Sequence, residues 1–168
     1  METIALALGG NQGDVSAHFS DAICKLEKSG LQNICTSSCY VTTPVGCKED
    51  APDFVNAALT GEWNGTPAEL LALCKRLEAE AGRPSEYERN SDRPLDLDII
   101  LFGEQTYQLD NLTVPHIDME NRLFVLIPLA EVAPNMTHPV LNKSVKELLT
   151  SIDDPEEFTK IMSGKTSF

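Results

Sequence analysis

The sequence predicts an α+β fold of ferredoxin-like type, an antiparallel or mixed sheet with helices packed on its faces. Two observations carry this. Apolar residues alternate between strand-like and helical periods in the order strand, helix, strand, strand, helix, strand, and turn or cap residues sit at the switches. That order suits one layer of strands covered by helices. At 168 residues, with no internal repeat or linker, the chain is expected to form a single domain, 1–168, around one core.

Ile4-Ala5-Leu6-Ala7-Leu8 before Gly9-Gly10 reads as a buried strand running into a turn. Asp14 then caps a helix whose Val15, Phe19, Ala22, Ile23 and Leu26 share one face up to Ser29-Gly30. Residues 31–42 read as a second strand. After a Pro- and Gly-containing loop from Thr43 to Pro52, Phe54 to Trp63 alternates as a third strand, a hairpin partner of the second. Thr66-Pro67-Ala68-Glu69 has the N-cap, first-turn proline and capping-box acid of a helix start, and the helix continues to Gly82. Glu78 falls on its apolar side with Cys74 and Leu77, an unexpected place for a solvated acid. Residues 83–94 have no apolar period and carry Arg83, Arg89 and Arg93, and read as a mobile surface loop of the kind that either does nothing or closes over a charged ligand. Gln105 to Gln108 adds a short strand, and Leu112 to His116 is extended into a turn. Arg122 to Val132 and Val145 to Leu149 read as helices, followed by a polar tail.

Composition narrows the function. A formal net charge of −13 argues against nucleic acid and anionic membranes as partners. The N-terminus has no basic leader-like region and no stretch reaches membrane length, which predicts a cytoplasmic protein. The five cysteines contain no C-x-x-C pair and read as reduced, small apolar residues.

The chemistry concentrates in Arg93-Pro94-Leu95-Asp96-Leu97-Asp98-Ile99-Ile100-Leu101-Phe102-Gly103. Proline starts this strand and glycine stops it, and β-branched and aromatic residues favour the pleat between them. Asp96 and Asp98 then share one face, roughly 6.6 Å apart along the backbone. Their repulsion is relieved either by a divalent cation such as magnesium or simply by water. No phosphate-binding glycine loop of the common kinds is present, so bound phosphate would rely on metal and arginine.

Together with Ala7-Leu8-Gly9-Gly10-Asn11, Val114-Pro115-His116, Asn121-Arg122-x-Phe124 and Pro128-Leu129, this strand resembles the 6-hydroxymethyl-7,8-dihydropterin pyrophosphokinase family over roughly residues 3–135. The resemblance implies an ATP-dependent diphosphotransferase of folate biosynthesis, in which ATP donates its β,γ-diphosphate to the hydroxymethyl group of the reduced pterin and AMP leaves. It implies two magnesium ions on Asp96 and Asp98, with Arg83 and Arg93 as further catalytic groups at the phosphates. ATP would also be met by Leu71, Glu78, Ile99, His116 and Arg122, with Leu71 and Ile99 lining the adenine pocket. The pterin would be read by Thr42, Val45 and Asn56 and stacked by Phe124 against Phe54, with Asp96 reaching that end too. ATP and the hydroxymethyl dihydropterin are the implied partners, and a monomer is expected. The chain departs from the family's familiar pattern at Asn90, Ser85, Ile117 and Thr43, which bears on loop closure and not on the acids. Two other classes remain open on the residues themselves: a metal-dependent nucleotide phosphohydrolase, and a non-catalytic binding module whose Asp pair is only solvated.

Overall fold

The computed structural model describes residues 1–43, 52–83 and 91–166. Val45, Ser85, Arg89 and Asn90 lie outside them, as does most of the stretch 83–94 expected to form a loop.

The elements follow in chain order as β1 (Glu2–Gly10), α1 (Val15–Lys28), β2 (Gln32–Thr36), β3 (Cys39–Thr42), β4 (Phe54–Trp63), α2 (Pro67–Glu80) and β5 (Asp96–Phe102). Then come β6 (Tyr107–Leu109), β7 (Leu112–Val114), a 3-10 turn at Met119–Asn121, α3 (Leu123–Val132), β8 (Thr137–His138), β9 (Lys143–Ser144), α4 (Val145–Ser151), α5 (Pro155–Ser163) and β10 (Lys165–Thr166). The main sheet has the spatial order β10-β3-β4-β1-β5, with β2 also on β4, and every pairing in it is antiparallel.

β1 is central, and its side chains alternate between two cores. Ile4, Leu6 and Leu8 join Leu97 and Ile99 under α1 and α2, whose Phe19, Leu26, Leu70, Cys74 and Leu77 are buried against them. Ala5, with Ala58 and Ile100, meets Val125, Leu126, Leu129, Val145 and Leu148 of α3 and α4 on the opposite face. The small alanines let α3 approach the sheet closely, as period-2 alternation between large and small residues allows.

Local chemistry sets the helix starts. Asp14 accepts from the Ala17 N–H at 3.0 Å, and Thr66 and Glu69 form the reciprocal capping box ahead of α2. Three expectations need correction. Residues 31–42 are two strands, because Ser37 turns its hydroxyl to Ser38 O and the Ala58 N–H and interrupts the ladder. The short strand after β5 begins at Tyr107, where the ring packs edge-on against Phe102 at 5.9 Å, rather than at Gln105. The polar tail is ordered: Asp154 and Pro155 start α5, Ile161 anchors it in a third cluster with Tyr40, Leu123 and Ile127, and β10 adds to β3.

Candidate functional site

The N-terminal half of β5 is held from both sides. In the antiparallel register Asp96 faces Gly9 and Asp98 faces Ala7, while Leu97 and Ile99 point into the α2 core. Gly10 allows the chain before β5 to come close, since a Cβ on it would stand 2.5 Å from Pro94 O. Asn11 fastens the same region. Its N–H donates to Arg93 O at 2.9 Å and its Oδ1 accepts from the Arg93 N–H at 2.9 Å. Its amide donates to Asp92 Oδ1 at 2.7 Å and to Pro52 O at 3.4 Å.

The two acids differ in surroundings. Asp96 pairs with Arg83 Nη1 through Oδ1, and its Oδ2 lies 2.9 Å from Arg93 Nε. Burial alone would raise its carboxyl, but Arg93 and then Arg83 hold it below the usual carboxylate range. Asp98 has no hydrogen bond or ion pair to its carboxylate among the described residues. Burial and then the Asp96 charge push its carboxyl above the usual range. Glu78 lies on the other side of the strand, 2 % exposed. It accepts from the Leu97 N–H at 2.8 Å and from Lys75 at 3.0 Å, and its Oε2 is 2.9 Å from Arg83 Nη1. Burial raises the Glu78 carboxyl more than the Leu97 bond and Lys75 lower it.

Asp96 and Asp98 open into a cavity of about 430 Å³, the size of a small-molecule site. Its ionic end carries these acids with Arg93, His116 and Arg122. The His116 N–H donates to Ile100 O at 2.9 Å, and its Nδ1 is buried without a hydrogen-bond partner among the described residues. The other end carries Thr42, Phe54, Asn56 and Phe124, with both phenylalanines half-buried. Arg93 lies 5.2 Å over the Phe54 ring and Arg122 6.0 Å over Phe124, so cations border both rings. Asn56 donates its amide to Thr42 Oγ1 at 2.8 Å, which leaves Oδ1 as a free-facing acceptor. Gly9 keeps the floor open, since a methyl there would meet Asn56 Oδ1 at 3.7 Å and Asp96 Cβ at 3.9 Å.

Nine of the expected site residues thus meet at one cavity. Arg83 joins it through Asp96. Leu71, Glu78 and Ile99 do not line it. Ile99 is buried under α2, and Leu71 is half-buried against the same core. Ile117, one of the departures, is exposed. Sequence reasoning missed Glu157 of α5, which lines the cavity, although Asp154-Pro155 ahead of it is a helix-start signal.

No cluster of three or more His, Cys, Asp or Glu able to hold a metal occurs among the described residues. Two carboxylates on one strand face, one with neither a hydrogen bond nor an ion pair among the described residues, suit an ion that takes its remaining ligands from water and phosphate. The arrangement can hold a flat, hydrogen-bonding heterocycle at one end and a polyanion at the other.

The family model for 7,8-dihydro-6-hydroxymethylpterin-pyrophosphokinase matches residues 5–134. A relative from Haemophilus influenzae named 2-amino-4-hydroxy-6-hydroxymethyldihydropteridine pyrophosphokinase is 37% identical over 151 residues, covering 88% of this chain and 93% of that protein. A Bacillus subtilis protein of the same name is 36% identical, covering 99% of this chain and 94% of its own length. Among solved structures, Plasmodium falciparum HPPK-DHPS wild type with pteroate superposes with a TM-score of 0.71 at 16% identity, covering 99% of this chain. The chain spans under half of that structure, 45% of its length, and the likeness bears on the fold.

Proposed function

We infer the chemistry of the cavity from one premise: the chain belongs to the 7,8-dihydro-6-hydroxymethylpterin-pyrophosphokinase family. It transfers the diphosphate of ATP to the hydroxymethyl group of 6-hydroxymethyl-7,8-dihydropterin, giving AMP and the pterin diphosphate, in folate biosynthesis. The observation that carries the site assignment is the joining of an Asp pair, cations and an amide-aromatic end in one cavity.

In this reading the bond that forms runs from the hydroxymethyl oxygen to the β-phosphorus, and the bond that breaks leaves its electrons on the AMP oxygen. Little covalent work falls to the protein, so positioning and charge stabilisation dominate. Asp96 and Asp98 would hold two magnesium ions, and their shared strand face, with Asp98 unpaired among the described residues, supports this. The chemistry such ions would supply is neutralisation of the triphosphate charge. Arg83 and Arg93, which here neutralise Asp96, stand where phosphate charge must be met. His116 and Arg122 reach the same end. Glu78 acts beneath the strand, holding Leu97 and Arg83 in place. On the α2 side of β5, half-buried Leu71 keeps apolar surface for adenine, and buried Ile99 backs it from the core. Asn56 and Thr42, with Val45, read the pterin edge while Phe54 and Phe124 stack on the ring.

Strand order β3-β4-β1-β5 with α1 and α2 on one face supports the ferredoxin-like assignment, and one sheet running from residue 2 to 166 supports a single domain. No helix among the described residues is long and apolar enough to cross a membrane.

The test is AMP release with and without the hydroxymethyl dihydropterin. AMP formation that requires the pterin is expected. Equal nucleotide consumption without it, with free phosphate as product, would show a hydrolase instead.

A further inference from the structure

Residues 155–166 lie beyond the family-matched range 5–134, yet Glu157 among them lines the cavity. Asp154 accepts from the Glu157 N–H at 2.9 Å and starts α5. Ile161, 2 % exposed, buries the helix against Tyr40, Leu123 and Ile127. The Val41 N–H donates to Gly164 O at 3.0 Å, and β10 pairs with β3 just after it. Lys165 reaches Glu131 at 3.4 Å, the same carboxylate that takes the Tyr40 hydroxyl at 2.6 Å. The helix is therefore fastened to β3 and α3, the elements that present Thr42 and Phe124.

Residues 157 and 161 are one turn apart and share a helix face. Glu157 accordingly turns toward the body of the protein and is half-buried, while Glu156 and Phe158 beside it are exposed. It lines the same cavity as Thr42, Asn56 and Phe124. Among the described residues its carboxylate has neither a hydrogen bond nor an ion pair. A half-buried carboxylate with no counter-charge costs stability unless a ligand supplies donors.

We propose that Glu157 is a specificity-determining residue for the heterocycle, accepting from the adjacent N–H donors of its amino-pyrimidinone edge. This rests on the reading of the reaction given above. A pterin presents its 2-amino group and ring N–H side by side, and an ionised carboxylate is acceptor-only with two oxygens, so the two are complementary. Asn56 Oδ1 adds a neutral acceptor from the sheet side. The charge of Glu157 also repels phosphate, so the triphosphate is confined to the arginine end and the cavity binds its two substrates in one orientation.

The experiment is calorimetric titration of wild type, Glu157→Gln and Glu157→Ala with the hydroxymethyl pterin and with its 2-deamino analogue. Magnesium and a non-hydrolysable ATP analogue are present throughout, and nucleotide affinity and Tm are measured in parallel. Glu157→Ala should weaken pterin binding about tenfold or more, with Glu157→Gln between it and wild type. Nucleotide affinity should hold and Tm should not fall, and the deamino analogue, which keeps only the ring N–H, should lose less affinity on Glu157→Ala than the pterin does. Unchanged pterin affinity in Glu157→Ala overturns the proposal. So does a loss shared equally by nucleotide and pterin with a falling Tm, which marks a purely structural role for α5. A wild type that binds no pterin overturns the reaction itself, whereas a binding wild type with an indifferent Glu157→Ala overturns only the role of Glu157.

Discussion

Asp96→Ala and Asp98→Asn are expected to lose turnover together and to move thermal stability in opposite directions. Asp96 is one partner of a buried ionic cluster, with side-chain exposure of 15% against 8% for Arg83 and 22% for Arg93. Deleting one partner of such a pair strands the other, at about 3–5 kcal/mol. Glu78 still faces Arg83 at 2.9 Å, so the low end applies. About 3 kcal/mol corresponds to a fall of about 6–12 °C in Tm for a chain of this size. Asp98 is the reverse case, because burial and the neighbouring Asp96 charge both disfavour its ionised form. Asparagine keeps the shape and removes the charge, so Tm should rise at pH 7. A carboxyl raised in the folded state lends stability that is present below its unfolded pKa and lost as pH rises through the folded one. The advantage of Asp98→Asn should therefore shrink as pH falls, and vanish below the unfolded carboxyl value of about 3.9, where the wild-type group is protonated in both states. Scanning calorimetry with a chelator present reads the stabilities, and pterin-dependent AMP release should fall about 100-fold or more in each variant. A Tm that falls equally in both, or an active Asp98→Asn, would refute the reasoning.

Two further outcomes are expected. Glu78→Ala should lower Tm by about 6–20 °C, from a loss of about 3–5 kcal/mol, because it leaves the Leu97 N–H buried without an acceptor and removes a partner of Arg83; a shift under about 2 °C in thermal melts would show the carboxylate to be dispensable. Glu131→Gln should lower Tm by about 3–6 °C at pH 7. Burial raises the Glu131 carboxyl, but bonds from Tyr40 and Ser38 outweigh it and leave the group below its usual range. Its contribution is present above the unfolded pKa and lost as pH falls through the folded one, so melts of the two proteins should converge in acid.

Much of the scaffold was legible because its signals are local. The alternation Asp96-Leu97-Asp98-Ile99 tells which side chains share a face, and Thr66-Pro67-Ala68-Glu69 marks where α2 begins, with no need of distant contacts. What escaped was set at longer range. That Glu78 holds Leu97, 19 residues away, follows from how α2 lies on β5 and not from any spacing in the chain. The break at Ser37 was hidden because the side chain that interrupts the ladder is content in a strand until a partner backbone takes its hydroxyl. In the tail, composition outweighed the punctuation: 152–166 is mostly polar, and only Ile161 among its buried contacts reveals that α5 has a core face.

Asn11 has a consequence for how this protein varies. One side chain grips Pro52 on one side and Asp92 on the other, and the residue exchanges two bonds with the Arg93 backbone, donating through its own N–H and accepting through its Oδ1. The stretches 44–51 and 84–90 each return to this same knot. Doubling the length of a connection between fixed ends costs only about 0.6 kcal/mol. Natural or engineered change can therefore lengthen, shorten or rewrite either stretch while its point of return to the sheet stays in register. Accuracy is thus concentrated in one asparagine and diversity is left to the spans it ties down, so a relative's sequence can be grafted between these anchors without rebuilding the sheet.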